Sequence, residues 1–129
     1  MSVTYTSAAI TSGVGSIGGS KPSRRNAAAS TVATVNVAGV TSGQYITLTL
    51  LGVNDGVNTN DVAVRMGVLV GDTTGDGSVN STDIGQTKSK SGQAVDSTNF
   101  RNDVNTDANL NSADIGLVKS KSGTALPPP

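Results

Sequence analysis

Asp72-Thr-Thr-Gly-Asp76-Gly-Ser-Val-Asn80-Ser-Thr-Asp83 and Asp103-Val-Asn105-Thr-Asp107-Ala-Asn-Leu-Asn111-Ser-Ala-Asp114 are two versions of one twelve-residue pattern, set 31 residues apart. The likeness runs on into Ile84-Gly-Gln-Thr-Lys-Ser-Lys-Ser-Gly92 and Ile115-Gly-Leu-Val-Lys-Ser-Lys-Ser-Gly123. Over residues 72–92, 12 of 21 positions match their partners, so the structural unit is a loop followed by a short helix, used twice.

The spacing of the acidic and amide residues suits a hard cation. A twelve-position calcium loop takes oxygens from positions 1, 3, 5, 7 (backbone carbonyl), 9 (often through water) and 12. In the first loop these are Asp72, Thr74, Asp76, Ser78, Asn80 and Asp83; in the second they are Asp103, Asn105, Asp107, Asn109, Asn111 and Asp114. Two calcium ions (Ca2+) are therefore expected, one per loop. Gly77 stands at position 6, where the chain turns sharply. Ala108 stands there in the second loop, which strains a left-handed turn. Three carboxylates per loop are expected to gather and repel until a cation neutralises them. Val79 and Leu110, both at position 8, are expected to pair the loops back to back, and Phe100 to anchor the junction between the copies. The alternative is a pair of plain Asp/Asn/Gly turns; the tandem repeat argues against it.

Residues 68–126 resemble a dockerin domain, on the strength of the duplicated loop-plus-helix and the extended Val68-Leu-Val-Gly71 ahead of the first loop. The resemblance implies paired calcium loops, and a surface for a cohesin-like partner at loop positions 10 and 11 and on the helices. Those positions are Ser81 and Thr82 in one copy and Ser112 and Ala113 in the other, with Lys88 and Lys119 as basic contacts. The competing reading of the lysines is a solvated helix end beside the negative pole of the dipole. Gly85 and Gly116 fall inside the helices at a cost of about 0.5–1 kcal/mol each.

The composition narrows the function. The 129 residues carry no net charge, which gives no ground for nucleic-acid or membrane-surface binding. There is no Cys, His, Trp or Glu, and six of the nine Asp lie at carboxylate positions of the two loops. Zinc chemistry and nucleophile triads lack their usual residues, so an enzyme is not expected. No apolar run reaches the roughly 20 residues needed to span a bilayer. Calcium loops of modest affinity fill where calcium is near millimolar, and a composition rich in Thr, Ser, Asn and Gly fits a bacterial protein secreted or held at the cell surface.

The first half alternates as strands do. Thr31–Val37, Tyr45–Leu51 and Asp61–Met66 are expected strands, with a turn at Asn54-Asp55-Gly56 and a short further strand at Val3–Thr6. This resembles the closing strands of an immunoglobulin-like sandwich, but such a sandwich takes about seven strands. The expected fold is thus α+β: an incomplete Ig-like β-sandwich followed by a small α dockerin-like pair of loop–helix units. The expected organisation is an N-terminal strand and flexible linker (1–30), a strand region (31–70), the calcium-binding module (71–126) and a Pro tail (127–129). No signal peptide is visible at Met1-Ser-Val-Thr-Tyr5, so the chain is expected to be processed or a piece of a longer one.

Two functions follow from this reading. The first is a non-catalytic extracellular structural subunit that assembles with itself into a fibre, stabilised by calcium and by Val3–Thr6 reaching into a neighbour. The second is an attachment module for a cohesin-like partner, or the C-terminal fragment of a larger secreted protein.

Overall fold

A computed structural model describes residues 3–18 and 34–129. The chain is mixed α+β and forms two compact units, Met1–Val68 and Leu69–Pro129.

The first unit is built on strand β4 (Gln44–Asn54), which pairs antiparallel with β1 (Ser7–Ser12) on one side and β5 (Thr59–Val68) on the other. Short strands β2 (Ser16–Ile17) and β3 (Val37–Ala38) form a separate two-stranded sheet. Residues directly opposite across an antiparallel pair share a face. The register Ala8↔Leu50↔Val62, Ile10↔Leu48↔Val64 and Ile46↔Met66 therefore collects one apolar face. Ile46 and Leu48 at its centre are buried, whereas Val62, Val64 and Met66 are 43%, 46% and 40% exposed, so the face is covered at the middle strand and bare toward β5.

The β4–β5 hairpin turns where the sequence placed it. Asp55 Oδ1 accepts the N–H groups of Val57 (2.9 Å) and Asn58 (2.7 Å), and Asn54 Oδ1 accepts that of Gly56 (2.6 Å). The Asn58 and Val57 amides hold the Asp55 carboxyl below its ordinary pKa. A register shift between Leu50 and Val53 centres on Gly52, whose φ is 62°. A side chain there would meet Thr6 Oγ1 at 2.6 Å, which explains the glycine.

The strand expectations hold in part. β4 and β5 are longer than the expected 45–51 and 61–66. Of the expected strand 31–37, residues 31–33 lie outside the described residues and only Val37 pairs, in β3. The segment read as linker, residues 7–30, carries β1 and β2 in its described part. Ser7-Ala-Ala-Ile-Thr-Ser12 has too little apolar contrast to announce a strand; pairing with β4 makes it one. Thr4 exchanges two backbone hydrogen bonds with Asn54 of the same chain (2.9 and 2.8 Å), so this part of the Val3–Thr6 segment is engaged within its own unit.

The second unit holds α1 (Ser81–Lys90), a 3-10 turn (Phe100–Asn102) and α2 (Ser112–Lys121). Its core is Val79, Leu110 and Val118 with the buried polar residues Thr73, Asp83, Thr87, Asn99, Asn102 and Asp114. Among the described residues, no helix is long and apolar enough to cross a membrane.

Candidate metal centre

The loops are shaped by carboxylates that accept backbone N–H groups. Asp72 Oδ1 accepts from Gly75 (2.7 Å) and Asp76 (3.1 Å), and its Oδ2 from Gly77 (2.9 Å). Asp103 repeats this with Asp107 (3.1 Å) and Ala108 (3.0 Å). To turn their N–H groups inward, positions 4 and 6 take positive φ: Gly75 (78°) and Gly77 (86°) in one loop, Thr106 (58°) and Ala108 (64°) in the other. The strain expected at Ala108 is present. Thr106 shares it, and the substitution of Thr106 for the matching Gly75 was the signal in the sequence.

The last carboxylate of each loop closes it. Asp83 Oδ1 accepts from the N–H groups of Thr73 (3.0 Å) and Thr74 (3.0 Å), and Oδ2 from Asn80 N–H (2.9 Å). Asp114 does the same with Val104 (2.9 Å), Asn105 (3.4 Å) and Asn111 (3.0 Å). Both carboxylates are fully buried. Burial pushes the Asp83 carboxyl up, but the amides of Asn80, Thr74 and Thr73 and the Thr74 hydroxyl outweigh it and hold it below the ordinary value. Each Asp is also the third residue of its helix, and with Asn80 or Asn111 it completes a capping box. The two loop ends and the two helix starts are thus fixed by one side chain apiece.

Eight of the twelve predicted ligands fall into three groups. Asp72, Thr74 and Asp83 converge, since Thr74 Oγ1 lies 3.4 Å from Asp72 Oδ1 and 2.9 Å from Asp83 Oδ1. Asp103, Asn105 and Asp107 also converge: Asp103 Oδ1 and Asn105 Oδ1 both accept from Asp107 N–H (3.1 and 3.2 Å), and Asn105 Nδ2 donates to Asp107 Oδ2 (2.8 Å). Asp76 accepts from the amide and hydroxyl of Ser78 (2.9 and 2.8 Å), as Asp107 accepts from the amide of Asn109 (2.8 Å). The third group, Asn80 and Asn111, spends its side-chain oxygens as helix caps on Thr82 N–H (2.8 Å) and Ala113 N–H (2.7 Å). Among the described residues no three carboxylates draw together into one cluster, contrary to the expectation of gathered charges. The carboxylates that converge do so in pairs, and each is met by backbone dipoles.

Val79 and Leu110, expected to pair the loops back to back, are both buried in the core of this unit. Val79 exchanges hydrogen bonds with Gly123 and Thr124 beyond α2 (2.8 Å each), and Leu110 O accepts from Gly92 N–H beyond α1 (2.7 Å). Each loop is pinned to the end of the other copy's helix, which leaves the two copies interlocked. Phe100, expected to anchor the junction, is 58% exposed. The junction is held by buried amides: Asn99 Nδ2 donates to Ala94 O (2.8 Å), and Asn102 Nδ2 to Thr87 Oγ1 (3.3 Å).

The residues expected to meet a partner, Ser81, Thr82, Lys88, Ser112, Ala113 and Lys119, are all exposed. Ser81, Thr82, Ser112 and Ala113 open the helices, and Lys88 and Lys119 lie in the last turns. A side chain added at Gly85 or Gly116 would meet nothing within 4 Å, so neither glycine is required by packing among the described residues.

No curated protein matches this chain, and no solved structure does. Residues 70–121, the segment that holds both loops and both helices, match the family model of the dockerin type I domain, and this part of the chain is dockerin-like.

Proposed function

We propose that the chain is a non-catalytic, extracellular attachment protein whose C-terminal unit is clamped by two calcium ions and binds a cohesin-like partner. The observation that carries this reading is the convergence of three predicted ligands in each of two loops, within the segment that matches the dockerin type I family. The donors are hard oxygens without exception, which suits calcium and disfavours softer metals. Asp72, Thr74, Asp76, the Ser78 carbonyl and Asp83 would hold one ion, with Asn80 acting through water. Asp103, Asn105, Asp107, the Asn109 carbonyl and Asp114 would hold the other, with Asn111 acting through water. A bound cation would neutralise each loop's carboxylates and add its binding free energy to the stability of the unit. The partner would lie along the exposed Ser81, Thr82 and Lys88, or along Ser112, Ala113 and Lys119.

Native mass spectrometry at millimolar calcium tests the clamp. The wild type should carry two ions, and Asp72→Ala or Asp103→Ala one. A protein that stays metal-free, or variants that keep both ions, would refute the ligand assignment. Capture of surface proteins by the calcium-loaded chain tests the partner; a triple Ser81/Thr82/Lys88 substitution combined with Ser112/Lys119 changes should abolish it.

A second reading, a self-assembling surface subunit, draws support from the bare edge and partly exposed apolar face of β5. Exchange through Val3–Thr6 loses support, because Thr4 already pairs with Asn54 of its own chain. The Ig-like description of the first unit rests on the sequence pattern alone.

A further inference from the structure

β5 is a ten-residue strand at the edge of its sheet, and every residue from Thr59 to Gly67 is exposed. Among the described residues no strand pairs with its outer side. Edge strands are usually protected by charged side chains, by Pro, by a bulge or by being short. Thr59-Asn-Asp-Val-Ala-Val-Arg-Met-Gly-Val68 contains neither Pro nor Lys. Its two charged residues, Asp61 and Arg65, sit symmetrically about Ala63.

We propose that β5 is a homodimer edge: two copies of the chain pair antiparallel through β5, with the two-fold axis at Ala63. This goes beyond the attachment reading and does not depend on it. In that register Asp61 of each copy lies opposite Arg65 of the other, giving two cross-strand ion pairs. Val62 lies opposite Val64 on the apolar face, and Asn60 opposite Met66. Any parallel in-register pairing would set Asp61 against Asp61 and Arg65 against Arg65, which is unfavourable. Within one strand the two charges are about 13 Å apart, too far to satisfy each other.

Both charged side chains are already ordered. Asp61 Oδ1 accepts the Gly52 N–H at 2.9 Å, and the Arg65 guanidinium lies 3.8 Å from the centroid of the Tyr45 ring. Gly52 and Tyr45 both lie on β4, so the cross-strand pairs form beside, or in exchange for, these contacts within the chain. The small Ala63 side chain lets the strands approach at the axis. The partner that fits this edge is a second copy, because the edge is complementary to itself in charge and in register.

Sedimentation velocity of the full chain over a concentration series tests the proposal, with a chelator arm to separate it from the calcium reading. The wild type should dimerise equally with and without chelator. Asp61→Arg or Arg65→Asp should each weaken dimerisation at least roughly tenfold, and the double reversal should restore it. Ala63→Cys should cross-link chain to chain under mild oxidation, since facing residues of an antiparallel pair lie within disulfide reach and the chain has no other Cys. A strictly monomeric wild type overturns the proposal. So does a dimer indifferent to both single reversals, or a folded Ala63→Cys dimer that does not cross-link.

Discussion

The two loop–helix copies of the second unit share a backbone plan and reach it with different chemistry. The first loop meets its left-handed positions with Gly75 and Gly77; the second imposes them on Thr106 and Ala108. The next difference lies in the residue just before each loop. Gly71 packs so close to α2 that an added side chain would lie 3.6 Å from the Val118 Cα and 3.3 Å from Val79 Cγ1. At the matching place Asn102 donates to Thr87, the residue that corresponds to Val118. A glycine beside a valine in one half is answered by an amide hydrogen-bonded to a hydroxyl in the other. The two copies thus differ at corresponding positions in backbone as well as in side chain: Gly71 takes a φ of 95°, whereas Asn102 closes a 3-10 turn.

Removing a closing carboxylate should have the largest effect. Asp83→Ala or Asp114→Ala leaves buried N–H groups without acceptors and opens a capping box, and each should cost about 3 kcal/mol by denaturant unfolding with chelator present. If one variant costs less than a third of the other, the copies are not equivalent in structure. Thr87→Val, which copies Val118 without its glycine, should cost about 1–2 kcal/mol because Asn102 Nδ2 loses its acceptor. A neutral result would show that the amide finds another partner.

Backbone strain makes a smaller distinction. Thr106→Gly and Ala108→Gly should each stabilise by about 1 kcal/mol, while Gly77→Ala should cost about the same. Gln86→Leu, which copies Leu117, should add about 1 kcal/mol, because Gln86 Oε1 is buried and accepts no hydrogen bond among the described residues. Thermal unfolding of the four variants side by side checks the signs. The hairpin turn, outside the repeat, provides the smallest effect. The Asp55 carboxyl is held below its ordinary pKa by the Asn58 and Val57 amides, so its contribution is present above the unfolded value of about 3.9. It is lost as the pH falls through the lowered folded value. Stability curves of wild type and Asp55→Ala should differ slightly at neutral pH and converge in acid.

Much of the second unit was legible because its information is local. A carboxylate five residues ahead of a glycine, and an Asn three residues ahead of an Asp, fold a loop and start a helix through contacts of short sequence separation. The capping boxes of Asn80 with Asp83 and Asn111 with Asp114 could have been read from that spacing. The first unit was less legible. β1 has no strong alternation of its own, and only β4 shows that Ser7–Ser12 is a strand.

By itself the sequence determined the duplicated unit, the hairpin at Asn54–Asn58 and the main strand β4, each written in periodicity or in side chains that bond nearby backbone. Tertiary structure alone decided the rest. It crossed each loop onto the far end of the other helix, buried Asn99 and Asn102 rather than Phe100, and set β5 at an edge. Those outcomes depend on which distant groups compete for the same backbone donors and the same buried space, and that competition is settled only when the chain is folded.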